Sequence, residues 1–414
     1  MVLPAGVSAL RHDPVFRRYL AVRGQSALGT AVSAVVVPLL AAVVLGATTS
    51  QLGVLLVVTY SVRPAARLLA AVAAERSTRR VTMLRLLELG RFASVGLVPV
   101  VWWTGHLTMW SLVALTAVTS ALTGCFTAYA VPVVVDLVDR DSLARANGLI
   151  GTVTSATQVA GPGLAGLLLQ VLTAPVVLLV DAATYLASAL LLRGREPVRP
   201  LVEGDADAGF IGVARGFLVV LHKPLAPIAV GALLVTALNG VVGAVLPIFA
   251  TRDLGLAPGT YAWLLAAGAA GGIAGGAAVG VLARRMPTTH VALLALLLMA
   301  ASLWALPLSR PGWSAVLGLA WYEGIGSFAG VLYIAALMTA IPAVVPIHTI
   351  ARASAAAMLI PELGMALGAA LSALVGDLVE PRHLLVLAAS TSLLVCLSIC
   401  GHRVTSRRGR STPA

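Results

Sequence analysis

Charge is scarce in this 414-residue chain, at 11% of residues, and aromatic side chains are scarcer still at 5%. Soluble domains carry about 25% charged residues, so an ordinary water-facing globule is excluded. Cysteine is nearly absent. Cys125, Cys396 and Cys400 all fall in apolar runs, which excludes a disulfide framework and leaves them as small buried hydrophobes. No GxxxxGK[ST] stretch occurs, which argues against a built-in nucleotide-hydrolysing site. His12, His106, His222, His290, His348, His383 and His402 lie in loops or at helix ends without metal-ligand spacing. No cofactor, no metal and no enzymatic chemistry are expected.

What is present is apolar sequence: 59% of residues are hydrophobic and the mean hydropathy is +0.98. A membrane-spanning helix needs about 20 mostly apolar residues. Cut at polar, Pro and Gly breaks, the chain yields twelve such segments, near 20–45, 51–73, 81–103, 108–135, 143–171, 176–193, 225–250, 260–283, 290–308, 313–340, 353–376 and 383–401. The expected fold class is therefore an all-α integral membrane protein with twelve transmembrane helices in two pseudo-symmetric six-helix bundles.

A net charge of +12 suggests nucleic acid until the basic residues are placed. They follow topology instead. Between segments, Arg76, Arg79, Arg80, Arg140, Arg145, Arg193, Arg195, Arg199, Lys223, Arg284, Arg285 and the terminal arginines fall on one side, against only Arg252, Arg310 and Arg382 on the other. By the positive-inside rule both termini are cytoplasmic and the protein sits in the cell membrane. The basic N-terminus leads directly into a helix too long for a signal-peptide core, so its retention is expected.

The longest polar stretch, RGREPVRPLVEGDADAG, separates the sixth and seventh segments. This gives a bundle over 1–193, a linker over 194–224 whose part FIGVARGFLVVLHK reads as an interfacial helix, and a bundle over 225–414 with a basic tail. Basic turns recur between the second and third segments of each half, ERSTRR at 75–80 and ARRMPTTH at 283–290, and Arg76 and Arg284 are 284 − 76 = 208 residues apart. Parallel half-chain repeats of this kind mark one large class of secondary transporter.

Two motifs carry a resemblance. LARANGLIGTVTSATQVAGPGLAGLLLQ at 143–170 is similar to an AN-G-x(n)-Q-x-AGP-x-LAG-LL signature, and DAATYLASAL at 181–190 resembles DA-x-[ST]-[FY]-x-x-SAL. Both resemble the major facilitator superfamily, within it the bacterial branch of siderophore exporters and macrolide-efflux-like proteins. The loop at 71–80, usually G-x-LADR-x-GR[RK] in that superfamily, keeps its charges here as Glu75, Arg76, Arg79 and Arg80 but has Ala71 and Thr78 in place of both glycines. The resemblance implies a cytoplasmic gate at those charges. An acid often follows S-x-x-G in the family's first helix; Thr30 stands there in this chain, so that acid's role is not carried over.

Ionisable groups inside the membrane cost at least about 2.5–3.5 kcal/mol each at the bilayer centre and need a partner, a water cavity or a proton. Arg63 and Arg67 share a face of the second segment, and Arg85, Glu88 and Arg91 share a face of the third. An ion cluster between those two helices is expected. Asp181, about six residues from its helix end, reads as a structural acid that snorkels or caps a neighbour. Glu323 lies ten residues past Trp313, roughly 15 Å deep, and Glu362 roughly 12 Å deep. No arginine or lysine occurs in the later spanning segments to pair with them. The resemblance implies that the tenth helix lines a central cavity with the eleventh beside it, so the two acids are expected to share one proton-coupling or cation-binding site. Gln25, Ser26, Thr119, Thr123, Tyr129, Gln158, Asn239, Trp321 and Tyr322 are the expected cavity lining, a mixture that suits a bulky amphipathic substrate.

The resemblance implies a proton-coupled exporter of a siderophore, antibiotic or other organic metabolite, with lipid, substrate and protons as partners; a monomer and no nucleic acid are expected. Two other readings stay open: an uptake symporter of the same fold, and a transporter-like assembly protein without transport.

Overall fold

A computed structural model describes residues 13–192, 217–218, 220–221, 226–345 and 349–408. The linker over 194–216 lies outside the described residues, as does most of the interfacial helix expected at 210–223. Where that segment is described, Val220 is fully buried and Phe217 packs on the core of the later helices.

Among the described residues twelve long helices follow one another: α1 Pro14–Leu39, α2 Thr49–Arg76, α3 Arg80–Trp103, α4 Met109–Leu137, α5 Leu143–Val171, α6 Ala174–Leu191, α7 Ala226–Ile248, α8 Pro258–Arg285, α9 Thr288–Ser302 with a further turn Ala305–Leu308, α10 Trp313–Val344, α11 Ile350–Val375 and α12 Pro381–Arg408. Ten are apolar and long enough to cross a membrane. The two that fall short are α3, with Arg85, Glu88 and Arg91 in its middle, and α5, whose central stretch is rich in Thr, Ser and Gln. Both are still full-length helices.

Local chemistry sets the ends. Asp13 caps α1, accepting from Val15 N at 2.9 Å, and Thr108 and Ser111 form a reciprocal capping box on α4. The halves repeat in detail. α1 runs past Pro38 into a π-turn, Leu40–Val44, and closes on Gly46 at φ 65; α7 runs past Pro247 into a π-turn, Phe249–Asp253, and closes on Gly255 at φ 67. The offset is the same for both landmarks, 247 − 38 = 209 and 255 − 46 = 209. Positive φ at both closing residues explains why each is glycine.

The chain divides into two compact units. The first holds the described residues up to Gly46 and from Ser61 through α6; the second holds Ala47–Tyr60 and the described residues from 217 onward. The sequence assigns all of 1–193 to one bundle, whereas the structure groups the start of α2 with the later helices.

In the first unit α1 packs against α5 and α6, and α3 against α4 and α6. In the second, α7 packs against α11 and α12, and α9 against α10 and α12. This is the same pairing shifted by six helices. Glycine permits the closest approaches: Gly161 of α5 lies on Ala31 of α1, Gly124 of α4 on the backbone of Arg63, and Gly368 of α11 on the Ala237 carbonyl of α7. The core of the first unit gathers Phe16, Val22, Leu84, Phe126 and Val133, with Tyr19 donating its hydroxyl to the Ala130 carbonyl at 2.9 Å.

The start of α2 belongs to the second unit for an identifiable reason. Gly53 meets the backbone of Ala369 and Ala373. Asp377, just past α11, accepts from Ser50 N at 3.0 Å and from Thr48 Oγ1 at 2.8 Å, while its own N–H donates to Ser50 Oγ at 3.2 Å. A carboxylate at a helix N-terminus satisfies orphan donors and complements the helix dipole.

Candidate functional site

Three constellations carry chemistry, and each is built from polar residues at helical spacing. In the first unit, α1 contributes Ser26, Thr30 and Ser33, α3 contributes Glu88 and Arg91, and α6 contributes Asp181, Thr184 and Tyr185. Arg91 is 1% exposed, and Glu88 and Asp181 are 0% exposed. The Arg91 guanidinium donates to Ser26 Oγ at 2.7 Å and to Thr30 Oγ1 at 2.7 Å, pairs with both Glu88 oxygens at 3.4 Å, and stacks on the Tyr185 ring at 3.9 Å from its centroid. A buried charge is tolerated when paired and hydrogen-bonded in this manner. Arg23 and Arg91 both lie over the Phe126 ring, at 5.7 and 5.3 Å. Asp181 accepts from Ser33 Oγ.

The ion cluster expected between α2 and α3 is thus corrected. Glu88 and Arg91 turn toward α1 and α6, because α3 packs against α6 on that face. Arg85, three residues before Glu88, is exposed, and Arg63 and Arg67 are half-buried on α2, where their backbone supports Gly124 of α4. Asp181 neither snorkels nor caps; it is sealed within the network. Thr30, at the position of the missing acid, holds Arg91 and touches the Tyr185 hydroxyl at 3.1 Å.

The second constellation surrounds Glu323 on α10. Its Oε2 lies against Gly268 of α8, where a Cβ would stand 3.0 Å from it and 2.8 Å from Ser327 Oγ. Gly271 and Gly275 continue this stripe onto the backbone of Gly324 and Phe328, so the glycine-rich run is a helix-packing surface. Tyr261 and Tyr322 are close enough to interact electrostatically with the carboxylate. Among the described residues Glu323 makes no hydrogen bond and no ion pair. The Tyr322 hydroxyl donates to Asn239 Oδ1 at 3.1 Å, and Asn239 donates back to the Val235 carbonyl at 2.9 Å. Glu362 is half-buried on α11, with its Oε2 buried. α11 packs chiefly on α7, whereas Glu323 faces α8. Tyrosines and a serine stand around Glu323.

The third constellation is the turn between α2 and α3. Arg80 pairs with Asp136 of α4 at 2.7 Å and donates to the Ala74 and Glu75 carbonyls at 3.0 and 2.6 Å, tying the last turn of α2 to α4. The side chains of Glu75, Arg76 and Arg79 are exposed. Asp136 was not singled out by sequence, although an acid in the last turns of α4 is the counter-charge such a basic loop needs.

Of the expected lining, Ser26 is absorbed into the Arg91 network. Thr119 bonds Ser94 at 2.9 Å, and Thr123 bonds its own helix at the Thr119 carbonyl at 2.7 Å. Gln25 buries its Oε1 without a hydrogen-bond partner among the described residues, and Tyr129 packs on the first unit's core. Gln158 and Trp321 are exposed, Trp321 by 58%.

A family model described as Major Facilitator Superfamily matches residues 21–238 and again 228–414. The chain belongs to the Major Facilitator Superfamily. Solved structures of superfamily-like architecture agree. A nucleoside transporter, NupG, superposes with TM-score 0.79 at 10% identity, covering 94% of this chain and 99% of that one. A bacterial homolog of the human lysosomal transporter Spinster, inward-facing and unoccupied, gives 0.68 at 17% identity over 97% and 99%. A peptide transporter, POT, gives 0.70 at 14% identity over 95% of each. At these identities the likeness establishes the fold alone. No curated protein matches this superfamily member by sequence.

Proposed function

We propose that this protein is a proton-coupled exporter of an organic small molecule in the cell membrane, working by alternating access with both termini in the cytoplasm. Glu323 carries the proposal. It is a carboxylate at the eleventh position of a 32-residue helix, roughly 15 Å from that helix's start, that makes no hydrogen bond and no ion pair among the described residues, and an inert scaffold has no use for so costly a group. A carboxylate in that setting is neutral when dry and ionised when water or a cationic substrate reaches it, and that difference links proton movement to conformation. Asn239 and Tyr322 supply hydrogen-bonding groups beside it for an amphipathic metabolite such as a siderophore or antibiotic. That structural neighbours move nucleosides and peptides supports an organic cargo. Arg80 and Asp136, with Glu75, Arg76 and Arg79 around them, serve as the cytoplasmic gate.

The test is proton flux in proteoliposomes, recorded with candidate metabolites on either side. Glu323→Gln should fold, abolish substrate-dependent proton movement and retain substrate exchange. Uphill, gradient-driven transport by that variant at the native rate overturns the coupling role. Proton entry accompanying substrate entry, instead of opposing it, identifies an uptake symporter.

A further inference from the structure

The second helix carries an arginine that none of the three constellations uses. Arg63 is the fifteenth of the 28 residues of α2, 63 − 49 = 14 positions from one end and 76 − 63 = 13 from the other. At about 1.5 Å per residue its backbone lies roughly 20 Å from either end, too deep for the side chain to snorkel to a lipid phosphate. The face it occupies is equally informative. Leu52, Leu56, Arg63, Arg67 and Ala74 follow one another at steps of four, seven, four and seven, which is one side of a helix. Leu52, Leu56 and Ala74 are buried, whereas the opposite side shows Ala65, Leu69 and Val72, all apolar and exposed. Arg63 therefore shares the packed side of α2. Its carbonyl rests against Gly124 of α4, which fixes the turn that carries the side chain.

Arg63 is half-buried and makes no hydrogen bond and no ion pair among the described residues. The acids that could have neutralised it are engaged elsewhere: Glu88 pairs with Arg91, Asp181 interacts with Arg91 in the same network, and Asp136 pairs with Arg80. Arg67, one turn along the same side, adds a second positive charge. A guanidinium does not shed its proton to escape the cost of burial, and inside a membrane that cost is at least about 2.5–3.5 kcal/mol near the centre. A planar fork of N–H donors matches a carboxylate or phosphate in two parallel hydrogen bonds. An anion that arrives and departs would offset the cost only while it is bound.

We propose that Arg63 is an anion-binding site, held inside the membrane on the packed side of α2, and that the organic molecule this protein carries presents a carboxylate, phosphate or sulfonate to it. The word carries rests on the transport reading given above. Anion recognition itself does not, and it is independent of Glu323, which takes the opposite charge.

Site-resolved labelling with phenylglyoxal, which reacts with accessible guanidinium groups, tests this on the purified native protein. Without ligand, mass spectrometry should find both Arg63 and exposed Arg85 modified. Benzoate or phenyl phosphate at about ten times its dissociation constant should slow modification of Arg63 about tenfold and leave Arg85 unchanged. Benzamide, the neutral counterpart of benzoate, should protect neither. The anion that protects should also raise the melting temperature of the native protein, less so that of Arg63→Lys, and not that of Arg63→Gln. An Arg63 that is never labelled, no protection by either anion, equal protection by benzamide, or a melting shift retained in Arg63→Gln each overturns the assignment. The labelling arm requires no variant to fold, no gradient and no turnover, so its failure is distinct from failure of the coupling role, which proton flux in Glu323→Gln decides.

Discussion

Replacing Arg91 with methionine removes the cation from a sealed network and keeps most of its apolar volume. The guanidinium's two 2.7 Å hydrogen bonds to Ser26 and Thr30, its pairing with Glu88 at 3.4 Å and its stacking on Tyr185 at 3.9 Å all go. Hydrogen bonds to a charged group contribute about 1.5–3 kcal/mol each, but the dominant cost is the stranded partner, since deleting one member of a buried pair typically costs about 3–5 kcal/mol. Arg91→Met should therefore destabilise by about 3–5 kcal/mol. Adding Glu88→Gln to it removes the stranded carboxylate, and the double variant should recover about 0.5–3 kcal/mol, the range of coupling between residues in contact. Thermal unfolding in detergent, read by a thiol-reactive dye on half-buried Cys125 and buried Cys396, measures both. Strictly additive losses, or an Arg91→Met protein as stable as the native one, would refute the reasoning.

The glycine stripe gives a paired prediction. Gly271→Ala forces a methyl into the Gly324 backbone and should cost about 1–3 kcal/mol, whereas Gly276→Ala, with nothing within 4 Å, should stabilise by about 0.4–1 kcal/mol in the same melting assay. Asp136→Asn should slow transport, Arg80→Ala should slow it at least as much because it also loses the bonds to the Ala74 and Glu75 carbonyls, and the double variant should be no slower than Arg80→Ala; additive slowing in a turnover assay would separate the two residues. Cysteine placed at exposed Thr78 should react with an impermeant reagent only from the cytoplasmic side, and cysteine at exposed His106 only from outside; labelling of Thr78→Cys in intact cells would reverse the topology.

The twelve-helix architecture was legible because apolar runs of spanning length are the strongest signal a membrane chain offers. The partners of Glu88 and Arg91 were not. Spacing puts both on one face of α3, but which neighbour that face meets depends on helix packing, and the sequence pointed to α2 where the structure has α1 and α6. A signal did exist. Asp181, Thr184, Tyr185 and Ser188 fall at i, i+3, i+4 and i+7, a polar stripe along α6, and Ser26, Thr30 and Ser33 make a matching one on α1. Two polar stripes in lipid must meet something polar, and Arg91 is what they meet. The same polarity lowers the hydropathy of α3 and conceals it from a purely apolar criterion. Glu323 stood out for the opposite reason: its helix offers it no cation at any spacing. What spacing could not supply was its approach to Gly268 of α8.

The Asp377 contacts bear on how the chain is made. Ribosomes deliver helices in order, and domains made first generally fold first. α2 leaves the ribosome early, yet its first turn is capped by a residue 327 positions after Ser50, and Gly53 packs on Ala373. Thr48 and Gln51 cap the start of α2 locally, but until α11 has been synthesised and inserted the Ser50 N–H must stay with water or headgroups, and Gly53 lacks its Ala369 and Ala373 partners. The early half of this protein is completed by its last quarter, so a chain truncated before α11 would carry an unfinished second helix for membrane quality control to recognise.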